Sequence, residues 1–419
     1  MINNNRGKVI WYVSHYIGPP EFDTHSRALK FTQYLQDAGY EVIIFGSAYL
    51  HNKNIDLITD RSVYLERNYG DFKFVHIRCH RYKTNGISRF FSLFQFSARL
   101  FLLKSKFRKP DFIIHTAQVP FENLVLRLAR SLKAKYISEV LDLWPESFVA
   151  YGLISRKNPL LALAYKSERW LYSKADKVIF SMEGGRKYIT DKGWDKDNGG
   201  TIDLKKVAYI NNGVDLKSFD ENKIYCKTED PDLDNENIIR VTYIGSIRHV
   251  NNLRKLIDAA ALLLHYSNIK FLIYGDGGDR KILEEFCTNN SIDNVIFKQK
   301  WVELKYVPYI LSRSSLNIVN HMPNDILRYG GSQGKLFQYM AAGKPICSNL
   351  EMGFCKIKQH SLGVSHNFET AREYADAIIS ILFADKEVYD GMCKRARDVA
   401  EEFDYKYLSE KLKLVLQSC

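Results

Sequence analysis

Short apolar runs alternate with amphipathic stretches along almost the whole chain. Residues 9–13 form an apolar run that stops at Ser14-His15. Residues 26–38 then place Ala28, Leu29, Phe31 and Leu35 at helical spacing and end at Gly39. A second β-branched run, EVIIF, follows at 41–45. A strand, a helix and a strand with short connections are the signature of a parallel βαβ unit. Further strands are expected at 72–77, 112–115, 135–139, 178–180 and 207–210. The pattern restarts with a strand at 239–244 and a helix at 253–265. A strand at 271–274, a helix at 279–287 and strands at 295–297, 316–319 and 345–348 follow. Residues 405–417 again show helical spacing.

Two βαβ series in succession predict an α/β protein of two doubly wound, Rossmann-like domains, one after the other. We place an N-terminal domain at 1–215, a second domain at 216–400 and a closing segment at 401–419. The acidic stretch TEDPDLDNEN, 228–237, reads as a solvated linker or its edge, and 191–201 as a loop inside the first domain. A length of 419 residues suits two or three domains, and 46% apolar residues exclude a disordered chain. The net charge of +12 favours anionic partners: nucleic acid, phosphate-bearing metabolites or an anionic membrane face. Seven cysteines without a C-x-x-C pair read as free thiols in a reducing compartment. The first residues lack the pattern of a signal peptide, and no run reaches the roughly 18 apolar residues of a membrane span. The expected location is therefore cytoplasmic.

Doubly wound sheets bind ligands beyond the carboxyl ends of their strands, so the loops there carry the candidate chemistry. In YGGSQGKLFQYMAAGKP, 329–345, Gly330 and Gly331 permit close backbone approach, and Ser332 is the expected N-cap of a helix. The first-turn amides at Ser332, Gln333 and Gly334, with the charge of Lys335, suit a diphosphate, and Gln338 one turn on suits a pair of hydroxyls. Gly275-Asp276-Gly277-Gly278 follows a strand and opens a helix, and Gly245-Ser246-Ile247-Arg248 does the same one unit earlier. In the first domain, SHYIGPP places His15 and Gly18 after the first strand, and EVLDLWPES places Glu139, Asp142 and Glu146 at the end of another. Each loop read alone is equally compatible with a tight turn, a helix cap or a salt bridge. Residues 85–109 interleave phenylalanines with Arg89, Arg99, Lys104, Lys106, Arg108 and Lys109. As a helix this stretch suits either a core face or an anionic membrane surface. No nucleic-acid-binding motif is present.

Taken together the loops resemble the GT-B glycosyltransferases, in particular the large retaining family numbered four. VAYINNGVDLKSF (207–219) is similar to the junction motif of that family, and YIGSIRHVNNLRKLIDAA (243–260) to the first strand and helix of its donor domain. LIYGDGGDRKILEE (272–285) and GSQGKLFQYMAAGKPI (331–346) resemble two donor-binding segments. EVLDLWPES is similar to a motif of the branch that builds surface polysaccharides. The paired glutamates of the family fall here on Gly330 and Gln338, and the usual Arg and Lys of its first donor loop fall on Ser246 and Asn251.

The resemblance implies two Rossmann-like domains facing a central cleft. It implies a retaining transferase that uses a UDP- or GDP-linked sugar as substrate and needs no metal or other cofactor. Asp142, Arg248 and Lys335 are the implied catalytic groups. Gly245, Ser246, Gly275, Asp276, Gly277, Gly331, Ser332, Gln333, Gly334 and Gln338 are the implied donor contacts. His15, Gly18 and Glu146 lie on the implied acceptor side. The implied acceptor is a saccharide carried on a polyprenyl diphosphate, met peripherally on the inner membrane face, in polysaccharide, capsule or O-antigen synthesis; no nucleic-acid partner is expected. A sugar-nucleotide epimerase of the same fold and a non-catalytic nucleotide-sugar binder are the alternatives.

Overall fold

The computed structural model describes residues 7–22, 26–83, 86–116 and 121–419. Asn85, at the start of the aromatic stretch, and the six N-terminal residues lie outside the described residues. The chain divides into two compact units, 1–211 with 408–419, and 212–407. The division therefore falls four residues before the expected 215, and only residues from Leu408 onward join the first unit.

The first unit is built on an eight-stranded sheet in the order β10-β9-β8-β7-β1-β2-β6-β5. Its strands are β1 (Val9–Val13), β2 (Glu41–Ser47), β5 (Tyr64–Tyr69), β6 (Phe72–Ile77), β7 (Phe112–Thr116), β8 (Lys135–Val140), β9 (Lys177–Phe180) and β10 (Val207–Tyr209). A separate antiparallel pair, β3 (Tyr49–Leu50) and β4 (Ile55–Asp56), lies outside that sheet. Pairing is parallel except that β5 runs antiparallel to β6 at the edge. β1 and β7 are buried at every position, as expected of strands covered on both faces. β5 was missed in the sequence because YLERNY is half exposed and short of apolar residues.

The second unit has a fully parallel six-stranded sheet, β13-β12-β11-β14-β15-β16. Its strands are β11 (Ile239–Ile244), β12 (Ile269–Tyr274), β13 (Val295–Phe297), β14 (Leu316–Val319), β15 (Ile346–Ser348) and β16 (Gly363–Ser365). The helix expected at 253–265 stops at Ala261, where Leu262 and Leu263 turn back to the carbonyls of Ala259 and Ala260. In each sheet the strand order reverses beside the first strand of the unit, between β1 and β7 and between β11 and β14. Those reversals set the crevice positions of the two units.

The acidic stretch 228–237 is not a solvated linker. Asp230 is buried, caps the short helix Pro231–Asp234, accepts from the Tyr274 hydroxyl at 3.0 Å and pairs with Lys298 at 2.6 Å. Arg240 reaches back to the carbonyls of Asp232 and Asn235. Two of the acids in this stretch, Asp230 and Asp232, thus pair with Lys298, while Glu229, Asp234 and Glu236 are exposed. The last helix, Tyr405–Gln417, buries Leu408, Leu412 and Leu416 on one stripe.

Glu139, a candidate for hydroxyl recognition, is instead a buried anchor of the first unit. Its carboxylate pairs with Arg27 at 2.7 Å and accepts from the hydroxyls of Tyr12 at 2.7 Å and Thr116 at 3.0 Å. Arg27, at the start of the helix Arg27–Asp37, also donates to the carbonyls of Ile210 and Asn211. Glu139→Ala removes the buried carboxylate that this buried guanidinium pairs with. We expect a loss of about 3–5 kcal/mol in unfolding free energy by denaturant titration. A loss below about 1 kcal/mol would mean the pair is not buried as described.

Candidate active site

The best-built candidate site lies at the carboxyl ends of β11 and β12 in the second unit. The two loops there lock onto each other through backbone alone. Gly245 donates to the Tyr274 carbonyl at 3.1 Å, Ile247 to that of Asp276 at 2.8 Å, and Asp279 back to that of Ile247 at 3.1 Å. Gly275 has φ of +127°, and a Cβ there would sit 1.9 Å from the Gly245 oxygen. A Cβ at Gly277 would sit 2.1 Å from the Ile247 oxygen. Only glycine lets these loops close so tightly. Arg280 is buried beneath them and donates to the carbonyls of Gly275 and Lys298, so it positions the loop without facing outward.

The third segment arrives on the helix Gly334–Ala341. Tyr339, buried on that helix, takes the amide of Ile244 at 3.0 Å and fixes the helix against the end of β11. Lys335, on its first turn, donates to the Tyr243 hydroxyl at 3.1 Å and lies 4.5 Å over that ring. Tyr243 in turn donates to the Ser246 carbonyl at 2.7 Å. The ammonium stands 3.3 Å from where a Gly245 side chain would begin, so a larger residue at 245 would collide with it. Burial lowers the Lys335 pKa to about 8. Among the described residues no carboxylate lies within ion-pair distance of it. A desolvated cation of this kind, flanked by the free first-turn amides of a helix, favours an anion.

The remaining donor-side candidates fall around this lysine. Gly334 is exposed with open space where a side chain would begin, and Gln338 is half-buried one turn further on. Asp276 and Arg248 are exposed on their loops. Gly331 packs close to the Met352 sulfur, 2.8 Å from a would-be Cβ. Ser332 is not the N-cap: Gln333 occupies that position, and Ser332 accepts the Asn212 amide through its hydroxyl at 2.9 Å. Its carbonyl holds the Asn212 side chain as well, because Asn212 leads into the same unit. Ser246 and Asn251, which stand where the family carries its cations, bond each other side chain to side chain at 2.9 Å. That neutral pair leaves Arg248 and Lys335 as the cations of these loops.

The candidates of the first unit have more varied settings. His15, just past β1, is buried; its Nε2 lies 3.0 Å from the Ser92 hydroxyl and its Nδ1 has no hydrogen-bond partner among the described residues. Burial, with the nearby charges of Arg89 and His51, lowers its pKa to about 3. The ring is therefore neutral near pH 7 and suits orienting a hydroxyl better than accepting its proton. Gly18 is buried in the loop that follows. Asp142 is exposed, and desolvation still raises its carboxyl pKa. Glu146 opens the short helix Glu146–Ala150 and is committed to an ion-pair network with Lys192, Tyr165 and Arg156. Burial pushes its carboxyl up, but those hydrogen bonds and charges outweigh it and hold the pKa low. Asp142 and Glu146 thus do not share a helix face: the helix begins only after Pro145.

The sequence reading missed Tyr243, Tyr339 and Arg280, which set the donor-side geometry. Only Arg280 left a signal, two residues after the glycine-rich turn. Among the described residues, no group of three or more His, Cys, Asp or Glu side chains is placed to hold a metal ion.

Sequence and structure comparisons bear on the whole chain. The family pattern described as "Glycosyl transferase 4-like domain" matches residues 24–201. The pattern described as "Glycosyl transferases group 1" matches residues 239–383. No curated protein sequence shows significant similarity to the chain. Among solved structures, HepE of Anabaena in complex with UDP-glucose is 15% identical with a TM-score of 0.64, over 98% of this chain and 100% of that one. Sucrose-phosphate synthase of Thermosynechococcus elongatus is 16% identical with a TM-score of 0.68, over 98% of both chains. The UDP-forming trehalose-phosphate synthase of Burkholderia vietnamiensis is 12% identical with a TM-score of 0.72, over 99% of this chain and 100% of that one. These likenesses show the shared fold of two Rossmann-like parallel sheets. Each unit carries a glycosyltransferase pattern and the two together span most of the chain, which belongs to the glycosyltransferases and has the GT-B fold.

Proposed function

We propose that the chain is a retaining glycosyltransferase that moves a sugar from a nucleoside diphosphate to a hydroxyl of a lipid-linked saccharide. The observation that carries this reading is Lys335, a desolvated ammonium with no carboxylate partner among the described residues, at the first turn of a helix beside two glycine-built loops. A diphosphate supplies the missing anion. HepE, with the same fold, has been crystallised with UDP-glucose, which makes UDP-sugars the first donors to try.

In the proposed step the bond from the anomeric carbon to the diphosphate oxygen breaks and a bond to the acceptor oxygen forms on the same face. The acceptor proton passes to a donor phosphate oxygen, and the nucleoside diphosphate leaves. Lys335, Arg248 and the first-turn amides at Gly334 and Lys335 meet the charge that develops on the leaving group, and no metal is required. Gln338 holds the ribose hydroxyls. The loops of Gly245–Ser246 and Gly275–Gly277 approach the donor, with Asp276, Gly331, Ser332 and Gln333 at their margin. In the first unit His15 and Gly18 orient the acceptor hydroxyl, with Asp142 beside it, while Glu146 supports the local chain through its ion pairs. The setting proposed is surface-polysaccharide, capsule or O-antigen synthesis, in the cytoplasm at the inner membrane face. Among the described residues no helix is long and apolar enough to cross a membrane.

Removing the lysine charge tests the central claim. Lys335→Ala should lower release of UDP from its preferred sugar donor about 100-fold or more at unchanged thermal stability, followed by a coupled nucleotide assay. An unchanged rate would take Lys335 out of the phosphate role. Donor binding without any nucleotide release by the native chain would leave only a nucleotide-sugar binder.

The lysine pKa gives an independent check. An anion favours the charged ammonium, so the complex keeps its proton while the free protein loses it near pH 8. Affinity for UDP, titrated by calorimetry, should therefore fall about tenfold from pH 7 to pH 9. Affinity that is flat over this range would contradict the assignment.

A further inference from the structure

Two helices of the first unit each leave several large apolar residues exposed. Helix Ile87–Leu103 buries Leu93, Phe96 and Leu100 but leaves Phe90, Phe91 and Phe94 at the surface. Helix Pro159–Lys174 exposes Leu160 at 70% and Leu163 at 65%, with Trp170 also open. Singly exposed leucines are ordinary, but a contiguous set is not. These two helices and the helix Glu146–Ala150 enclose a cavity of about 620 Å³. Phe90, Phe148, Leu160, Leu163 and Trp170 line it. That volume falls within the range of small-molecule sites, roughly 300–1,000 Å³.

Among the residues that line the cavity the one charged side chain is Lys166, and Glu146, on the short helix beside it, is paired with Lys192 and Arg156. Residues 86–109 contain no aspartate or glutamate, and residues 147–174 contain only Glu168, which is buried between the hydroxyls of Tyr172 and Tyr188. Lys166 lies on the cavity wall and Lys157 is exposed just before the helix that forms it. A second copy of this face would bring cation against cation. A hydrocarbon chain ending in a phosphate matches both properties, with the chain in the groove and the anion at the basic rim.

We infer that this groove binds the hydrocarbon chain of a polyprenyl phosphate lipid. All of its lining residues belong to the first unit, whereas the loops assigned to the donor belong to the second. The inference rests on the reading of the acceptor as lipid-linked, and it assigns the lipid chain to particular side chains. It also resolves the two readings of residues 85–109: one face of that helix is core, and the other is the wall of a lipid site.

Farnesyl phosphate serves as a soluble probe, titrated by calorimetry beside farnesol and inorganic phosphate on the full chain. Farnesyl phosphate should bind saturably, farnesol several-fold more weakly, and inorganic phosphate without detectable heat. The double variant Leu160→Glu with Leu163→Glu alters two solvent-facing positions, so the fold should persist, with UDP affinity as the check. It should weaken farnesyl phosphate at least tenfold. Equal affinity in variant and native chain, or inorganic phosphate binding as well as the prenyl phosphate, would overturn the inference. Concentration-dependent dimerisation by sedimentation that the same variant abolishes would assign the face to a second copy and overturn it as well. UDP release is measured on the same samples. Turnover without chain capture defeats the groove alone, and chain capture without turnover defeats only the transferase reading.

Discussion

A lysine ammonium taken out of water, with no carboxylate beside it among the described residues, is the constraint around which the second unit is arranged. Desolvation of an unpaired charge is costly, and most folds avoid it by pairing. Here the Tyr243 hydroxyl and ring face give Lys335 only a neutral partner. Every neighbouring feature serves to hold that arrangement. Tyr339 fastens the helix to β11, the Gly275–Gly245 contact brings the loops together, and Arg280 supports them from beneath. The cost is recovered when an anion arrives, which is why such a site suits a diphosphate substrate better than a structural role.

Where a GT-B enzyme would place two further cations, this chain places Ser246 and Asn251, bonded to each other. The substitution is self-consistent, because each neutral side chain satisfies the other and neither leaves a buried polar atom alone. It concentrates the positive charge on Lys335 and Arg248. The same economy of charge appears in the first unit in a different form. Glu139 and Glu146 lie at the end of one strand and the helix after it, and both are consumed by local cations, Arg27 for one and Lys192 for the other. Asp142, between them in sequence, carries its carboxyl at the surface with a raised pKa. Three acids close in sequence thus have two structural duties and one open position.

The lipid groove and the donor loops follow from opposite surface chemistries. The loops are glycine-rich and polar, and they can approach a ligand only because side chains are absent. The groove is lined by side chains left in contact with water at a cost, and it gains by covering them. Both occur on ordinary βαβ frameworks, so neither function is a property of the fold itself.

The succession of apolar runs, the helical spacing between them and the glycine-rich turns were enough to read two parallel α/β units and the glycine-rich loops at their strand ends, because periodicity and turn chemistry are local. β11, β13 and β14 could be placed to the residue for the same reason: each is a short run rich in β-branched, aromatic and aliphatic residues set between polar or turn-forming ones. The edge strand β5 could not, since half-exposed edges carry little apolar signal. Whether an acidic residue is solvated, paired or poised was invisible for Asp230, Glu139 and Glu146, because their partners are Lys298, Arg27 and Lys192, residues 68, 112 and 46 positions away. The chain alone therefore determined the architecture and the glycine-rich loops at the ends of β11 and β12. Tertiary packing alone decided which charges remain unspent, since desolvation and pairing depend on neighbours that only folding brings together.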